Sequence, residues 1–146
     1  MSYSGKVERV VFGRLAPDTD MLEGVKKVLQ RENIRAGYVN IIGALKSLVV
    51  GYFDQATRTY AEHRVDGPAE ILICTGNVSL LDGAPFPHLH LTAGDPEGRA
   101  MGGHLMPGCR VFVAEYSILA FADAVAERKM DEASGLMLWP ADKPDA

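Results

Sequence analysis

The chain has 146 residues, a formal net charge of −4, a hydrophobic fraction of 47% and a charged fraction of 23%. These values predict one globular domain, and the excess of acidic residues disfavours stand-alone nucleic-acid binding, which depends on clustered Lys and Arg. No segment approaches the roughly 20 apolar residues of a membrane span, and the N-terminus lacks the apolar core of a signal peptide. We therefore expect a cytoplasmic protein without membrane contact.

The first predicted elements are a strand and the chain's one strong helix. Val7–Leu15 alternates between apolar and polar residues and is rich in Val, which predicts a strand. The group Asp18–Asp20 offers a helix N-cap, because a side-chain oxygen there can accept from a free backbone N–H. Apolar residues at helical spacing follow it and predict an amphipathic helix from about Thr19 to Glu32.

The remaining predicted elements are strands, with a candidate bulge at Gly76-Asn77 and a candidate helical turn at Ala120–Ala126. These strands are Ala36–Gly43, Leu45–Phe53, Tyr60–Val65, Ala69–Leu80, Pro87–Ala93, Arg99–Leu105, Arg110–Leu119, Arg128–Met130 and Leu136–Trp139. Strand, helix and then a series of strands is an α+β pattern with a mainly antiparallel sheet. We expect a single domain over residues 1–146, with its core at about 7–139 and a flexible tail at 140–146.

Two further expectations concern assembly and thiol chemistry. A large sheet with one helix leaves a face to cover, and association of identical subunits is a natural way to cover it, so we expect a homo-oligomer. Cys74 and Cys109 lie in apolar contexts without a CxxC partner, which favours two buried free thiols over a disulfide.

Three of the four histidines fall in one short window. His88 and His90 have i, i+2 spacing on a predicted strand, so both imidazoles leave the same face. The segment Gly94–Gly98 predicts a turn that returns the chain and brings His104 onto a neighbouring strand. Three imidazoles without an obvious fourth ligand match an open, catalytic-type zinc site, whereas hydrogen-bonded histidines on a polar sheet face are the alternative.

Five other residues are candidates for the surroundings of this site. Glu70 and Glu115 are carboxylates in apolar strands, so each is a candidate general base or support for a metal ligand, or equally a member of a structural salt bridge. Asn77 can bind a ligand or satisfy a bulge. Gly102 and Gly103 allow close backbone approach beside His104, or form a tight turn.

Several segments together closely resemble the plants-and-prokaryotes conserved (PPC) domain, in the expected order and over roughly Val7 to Trp139. The segments that carry the resemblance are Ile34–Leu45, Gly51–Asp54, Gly67–Leu72, Gly76–Leu80, Asp82–His90 and Gly102–Leu105. The resemblance implies an α+β domain that assembles as a homotrimer. It also implies a metal, zinc in the first place, on the three residues that match histidines of some prokaryotic members: His88, His90 and His104.

The resemblance leaves two functions open. One is a metal-binding homotrimer with a small-molecule pocket, in which the metal would polarise a carbonyl or activate water while Glu70 or Glu115 moves protons. The other is the DNA-binding or transcription-associated role by which stand-alone members are customarily labelled. This chain departs from the family in its loop Ala16–Leu22. It also lacks the Arg-Gly-Arg core of an AT-hook, which weakens the hypothesis that it binds DNA.

Overall fold

The computed structural model describes residues 2–141 and has the predicted α+β architecture in that range. One helix is present there, α1 (Met21–Arg31). The strands are β1 (Lys6–Arg14), β2 (Gly37–Asp54), β3 (Thr59–Val65), β4 (Ala69–Leu81), β5 (Ala84–Gly94), β6 (Ala100–Leu105), β7 (Arg110–Ala122), β8 (Lys129–Asp131) and β9 (Leu136–Leu138). Of the predicted tail, residues 142–146 lie outside the described range.

The sheet is antiparallel and partly closed. Its strands run in the order β1-β7-β2-β4-β5-β6, and β3 pairs with the C-terminal half of β2. Strand β6 also pairs with β2, through Val50 opposite Leu105 and Gly51 opposite His104. As a result β2, β4, β5 and β6 form a closed ring of strands. Within this ring β6, which carries His104, pairs with β5 on one side and with the central strand β2 on the other.

Strand β2 is one continuous element where the sequence predicts two strands joined at Gly43-Ala44. The register with β4 shifts between Ile41 and Gly43, which marks a bulge inside the strand. Gly43 has a φ of +138°, and a Cβ there would lie 2.1 Å from the Val113 carbonyl oxygen. Glycine therefore lets the strand bend at this point instead of ending.

Helix α1 packs against one face of the sheet, on β5 and β7. Asp20 is its N-cap, and one side-chain oxygen accepts from the Glu23 N–H at 3.0 Å. The other oxygen accepts from the Gly108 N–H at 2.6 Å, which ties the start of the helix to the loop before β7. Met21, Val25 and other apolar residues of the helix are buried in the core between helix and sheet.

The other face of the sheet, which we call the open face, carries exposed apolar side chains. Residues directly opposite each other on antiparallel strands share a face. One row across the open face runs from His88 through Asn77, Tyr38 and Leu119 to Val10, and the next from His104 through His90, Thr75, Asn40 and Ser117 to Phe12. Phe12 is 77% exposed in the single chain. The histidines therefore lie on the face that α1 leaves uncovered.

Two local predictions are wrong. Residues 120–126 do not form a helical turn, because β7 continues to Ala122 and the chain then bends at Asp123, whose φ is +62°. The bulge of β4 against β5 lies between Ile71 and Ile73, not at Gly76-Asn77. Alternation along a strand cannot locate such a bulge, since its position depends on how two strands are paired.

Other predictions are confirmed. β8 and β9 form the predicted closing hairpin, and the segment before it pairs with the end of β4 through Leu80 and Arg128. Cys74 and Cys109 are buried and free. Between residues 2 and 141, no helix has the length and apolar character required to cross a bilayer.

Candidate metal centre

His88, His90 and His104 converge on the open face. The ring centroids lie 5.2 Å apart for His88 and His90, 5.1 Å for His88 and His104, and 5.5 Å for His90 and His104. One nitrogen from each ring falls within 4.8 Å of the others. The predicted convergence of the three imidazoles is therefore present in the structure. His90 is exposed while the other two are half-buried, so the cluster opens to solvent on one side.

The strand geometry explains this convergence. Along β5, Leu89 and Leu91 are buried in the core, so the alternating side chains of His88 and His90 emerge on the open face. His104 lies directly opposite His90 on β6. Since directly opposite residues are the closest cross-strand neighbours, the turn after β5 completes the cluster.

Glycines allow β6 to approach its neighbours closely. A Cβ on Gly102 would lie 2.5 Å from the Leu91 carbonyl oxygen, and one on Gly103 would lie 2.6 Å from the Gly51 carbonyl oxygen. Both distances are too short for a real Cβ. The close-approach interpretation of these glycines is thus supported over a tight turn, because both lie inside β6.

Burial and charge keep two of the histidines neutral. Burial, together with the positive charge of Arg128 and the other two histidines, lowers the pKa of His88 to about 4. Burial is also the main cause that lowers the pKa of His104, followed by the charges of His90 and Arg128. Neutral imidazole is the form that binds a metal, so the environment favours the ligating state at neutral pH.

A divalent metal fits this set of donors. The Nδ1 atom of His104 is buried and has no hydrogen-bond partner among the described residues. Buried polar atoms rarely remain without a partner, and a metal ion would supply one. Three imidazoles with an open side match zinc sites that keep a coordination position for a further ligand.

Arg128 lies beside this cluster and was not expected there from the sequence. Arg128 is buried although it lies on the open-face side of the sheet. Its Nη2 donates to Asn77 Oδ1 at 2.8 Å, and its Nε donates to Ser79 Oγ at 2.8 Å. The guanidinium carbon lies 5.2 Å from the centre of the Phe86 ring and 5.5 Å from that of Trp139. In sequence the residue belongs to a charged segment that resembles an ordinary solvated one, so no local signal marks it.

Tyr60 is a second residue that the sequence analysis missed. Its ring centroid lies 5.4 Å from that of His104. Gly51 lies on β2, which pairs with β3, the strand of Tyr60, and with β6, the strand of His104. A Cβ on Gly51 would lie 2.9 Å from the Tyr60 ring. The missing side chain at Gly51 thus gives the tyrosine access to His104, an arrangement that depends on strand pairing and not on local sequence.

The two candidate carboxylates do not join the histidines within the chain. Glu70 is exposed and pairs with Gly94, four residues along β5 from His90, or about 13 Å. Glu115 is exposed on β7, three strands or about 14 Å from β5. Neither takes part in an ion pair within residues 2–141. Both carboxylates are solvated because strand alternation directs them away from the core.

Asn77 lies at the boundary between the histidines and a cavity. It is directly opposite His88, and it also lines a cavity of about 560 Å³ together with Tyr3, Phe121 and Trp139. Its side chain binds Arg128 instead of satisfying a bulge. The fourth histidine, His63, is exposed on β3 and is not part of the cluster.

Comparisons with known proteins agree with the fold. The model of the Plants and Prokaryotes Conserved (PCC) domain matches residues 2–122. A metal-containing protein from Archaeoglobus fulgidus is 34% identical with a TM-score of 0.91, covering 97% of this chain and 99% of that one. A plant- and prokaryote-conserved protein from Pyrococcus horikoshii is also 34% identical, with a TM-score of 0.88 and coverage of 97% and 96%.

More distant matches extend the comparison of the fold. A Bacteroides thetaiotaomicron protein with a provisional DNA-binding name is 24% identical, with a TM-score of 0.84 and coverage of 95% and 96%. A bifunctional protein GlmU from Synechococcus sp. strain JA-2-3B'a(2-13) is 28% identical over an alignment of 144 positions that covers 90% of this chain and 22% of that protein. The chain therefore spans about a fifth of the length of that relative.

Proposed function

Because the chain belongs to the Plants and Prokaryotes Conserved domain family, as its sequence resemblance predicted, we propose that it is a metal-binding homotrimer with a small-molecule pocket. His88, His90 and His104 would hold the metal, with zinc as the first choice. Asn77, Gly102 and Gly103 would border the ligand. The bound ion would supply a Lewis acid that polarises an oxygen atom of that ligand.

One observation carries this proposal: three imidazole nitrogens lie within 4.8 Å of one another, one ring is open to solvent, and the buried His104 Nδ1 has no hydrogen-bond partner between residues 2 and 141. The relative from Archaeoglobus fulgidus, named as metal-containing, adds support from a chain that is 34% identical over nearly the full length. Zinc prefers such nitrogen ligands, although imidazole suits several divalent metals. We do not assign proton transfer to Glu70 or Glu115, because both lie away from the triad within one chain.

The number of three subunits comes from the family resemblance, and the open face supports self-association of the chain. Phe12, Ile42 and Phe112 are 77%, 49% and 57% exposed in the single chain. A monomer rarely exposes a broad apolar sheet face, and a second copy of the same chain offers a matching apolar surface. The metal cluster lies on the same face, so assembly would place it near a contact between subunits.

Metal analysis tests the central claim. Protein purified without a His-tag should contain close to one zinc per chain by elemental analysis. Changing His88 and His104 together to Ala should remove the metal and leave a folded protein, as monitored by circular dichroism. His63→Ala is the matched control and should retain the metal, because His63 lies outside the cluster. A wild-type protein that binds no zinc, cobalt or manganese would refute the proposal.

DNA association is the second candidate, and one observation favours it: a structural neighbour carries a provisional DNA-binding name. The charge distribution opposes it. Lys46 and Arg110 share the carboxylate of Asp18, and Arg99 pairs with two carboxylates of its own turn, so each of these three cations already lies against a carboxylate. Titration with duplex DNA at physiological salt should show little binding, and tight binding with a steep salt dependence would reverse the ranking of the two candidates.

A further inference from the structure

Arg128 is a buried cation, and within the described part of the chain only neutral groups accept its hydrogen bonds. The residue is 6% exposed. Nε donates to Ser79 Oγ at 2.8 Å, Nη1 to the Met137 carbonyl at 3.0 Å and Nη2 to Asn77 Oδ1 at 2.8 Å. All three acceptors are uncharged, so none of these contacts balances the positive charge.

No carboxylate in residues 2–141 forms an ion pair with this arginine. Burying an unpaired charge is costly, and burial is the one cause that lowers the pKa of Arg128. The rings of Phe86 and Trp139 offset part of the cost through cation–π contact. The remaining imbalance suggests that a negative group from outside this part of the chain belongs next to the guanidinium.

The arginine is close to the histidine triad. Its partner Asn77 lies directly opposite His88 on the adjacent strand. The positive charge of Arg128 also contributes to the lowered pKa of His88 and of His104. A metal held by the triad and the guanidinium would thus form two neighbouring positive centres on the open face.

We propose that Arg128 forms the anion-binding part of the ligand pocket and takes the carboxylate of a small organic acid whose other oxygen faces the triad. This inference depends on the metal-binding function proposed above. A guanidinium has five N–H groups, and three hydrogen bonds leave one free on each terminal nitrogen. One free N–H on each terminal nitrogen of a planar guanidinium can serve the two oxygens of a carboxylate.

Glycolate and glycolamide form a matched pair of probes for this site. The two molecules share the hydroxyl, and only glycolate carries a charged carboxylate. Cobalt(II)-loaded protein is titrated with each while the visible absorption of the metal is followed, after the cobalt content is measured. Wild-type protein should bind glycolate at least tenfold more tightly than glycolamide. Arg128→Gln should lose this preference while retaining the cobalt.

If Arg128 has only a structural role, a different binding result is expected. If the residue only anchors the β8–β9 hairpin, Arg128→Gln will bind glycolate as tightly as the wild type at equal cobalt content, and the inference is overturned. Arg128→Lys covers the case in which the Gln variant does not fold. It keeps the charge but loses the paired donors, so glycolate should bind at least threefold more weakly while glycolamide is unchanged. Unchanged glycolate affinity in the Lys variant also overturns the inference.

Two outcomes separate this inference from the function on which it rests. Protein that binds no cobalt defeats both, whereas cobalt-loaded protein without a preference for glycolate defeats only the role of Arg128. A variant that ends at Ala141 should bind glycolate with unchanged affinity. Tighter binding by that variant would show that the chain's own C-terminal carboxylates pair with Arg128, which would overturn the assignment to an external acid.

Discussion

Gly76→Ala tests the strand packing on which the candidate metal centre depends. Gly76 lies on β4, facing β5, and a Cβ there would be 1.9 Å from the His88 carbonyl oxygen and 2.9 Å from the Leu89 Cα. Ordinary van der Waals contact begins at 3.4 Å, so β5 would have to retreat by about 1.5 Å. That shift stretches a normal backbone hydrogen bond of about 2.9 Å beyond its useful range.

The expected loss of stability follows from two contributions. Overpacking a well-packed site costs about 1–3 kcal/mol, and each weakened ladder hydrogen bond costs about 1 kcal/mol. We expect Gly76→Ala to lower the free energy of unfolding of the metal-free protein by about 3 kcal/mol. The affinity for zinc should fall at least tenfold, because His88 moves with its backbone while His104 remains on β6.

Urea denaturation and competitive zinc titration measure the two effects. Gly67→Ala is the matched control, since a Cβ at Gly67 has no neighbouring atom within 4 Å, and its stability should stay within about 0.5 kcal/mol of the wild type. If Gly76→Ala is as stable as Gly67→Ala, the close contact between β4 and β5 does not constrain the site, and the reasoning is refuted.

Three other predictions address the histidines, the helix and the open face. Because the pKa of His88 falls from 6.5 to about 4 in the folded protein, the unfolded chain binds more protons between these values. The metal-free protein should therefore lose about 1–2 kcal/mol, after allowance for solvent screening, as pH decreases through that window. Urea midpoints at pH 7 and 4.5 test this, and a His88→Gln variant with the same pH dependence would contradict it. Asp20→Ala removes acceptors from the helix and from Gly108, so thermal or urea unfolding should show a loss of about 2–3 kcal/mol, whereas Asp20→Asn should recover most of it. Phe12→Glu should shift sedimentation from the mass of three chains towards that of one without unfolding the protein, and an unchanged trimer would place the subunit contact elsewhere.

Local patterns in the sequence determined most of the elements and the three histidines of the candidate metal centre. Helical spacing of apolar residues behind Asp20 located α1, and alternation in β5 put His88 and His90 on one face. The turn after Gly94 was sufficient to predict that His104 joins them. These features depend on residues near in sequence, whose backbone periodicity fixes the direction of each side chain.

Only the tertiary structure decided which distant residues surround that centre. Strand β2 continues through Gly43, and β6 closes onto β2, because strands far apart in sequence pair with each other. The alternation of apolar and polar residues along one strand carries no information about such pairing. The same pairing leaves Glu70 and Glu115 solvated away from the triad and brings Arg128 beside His88 from the end of the chain. The local sequence around a charged residue is similar whether that residue is solvated or buried. The burial of Arg128 can therefore be recognised only from the positions of the strands around it.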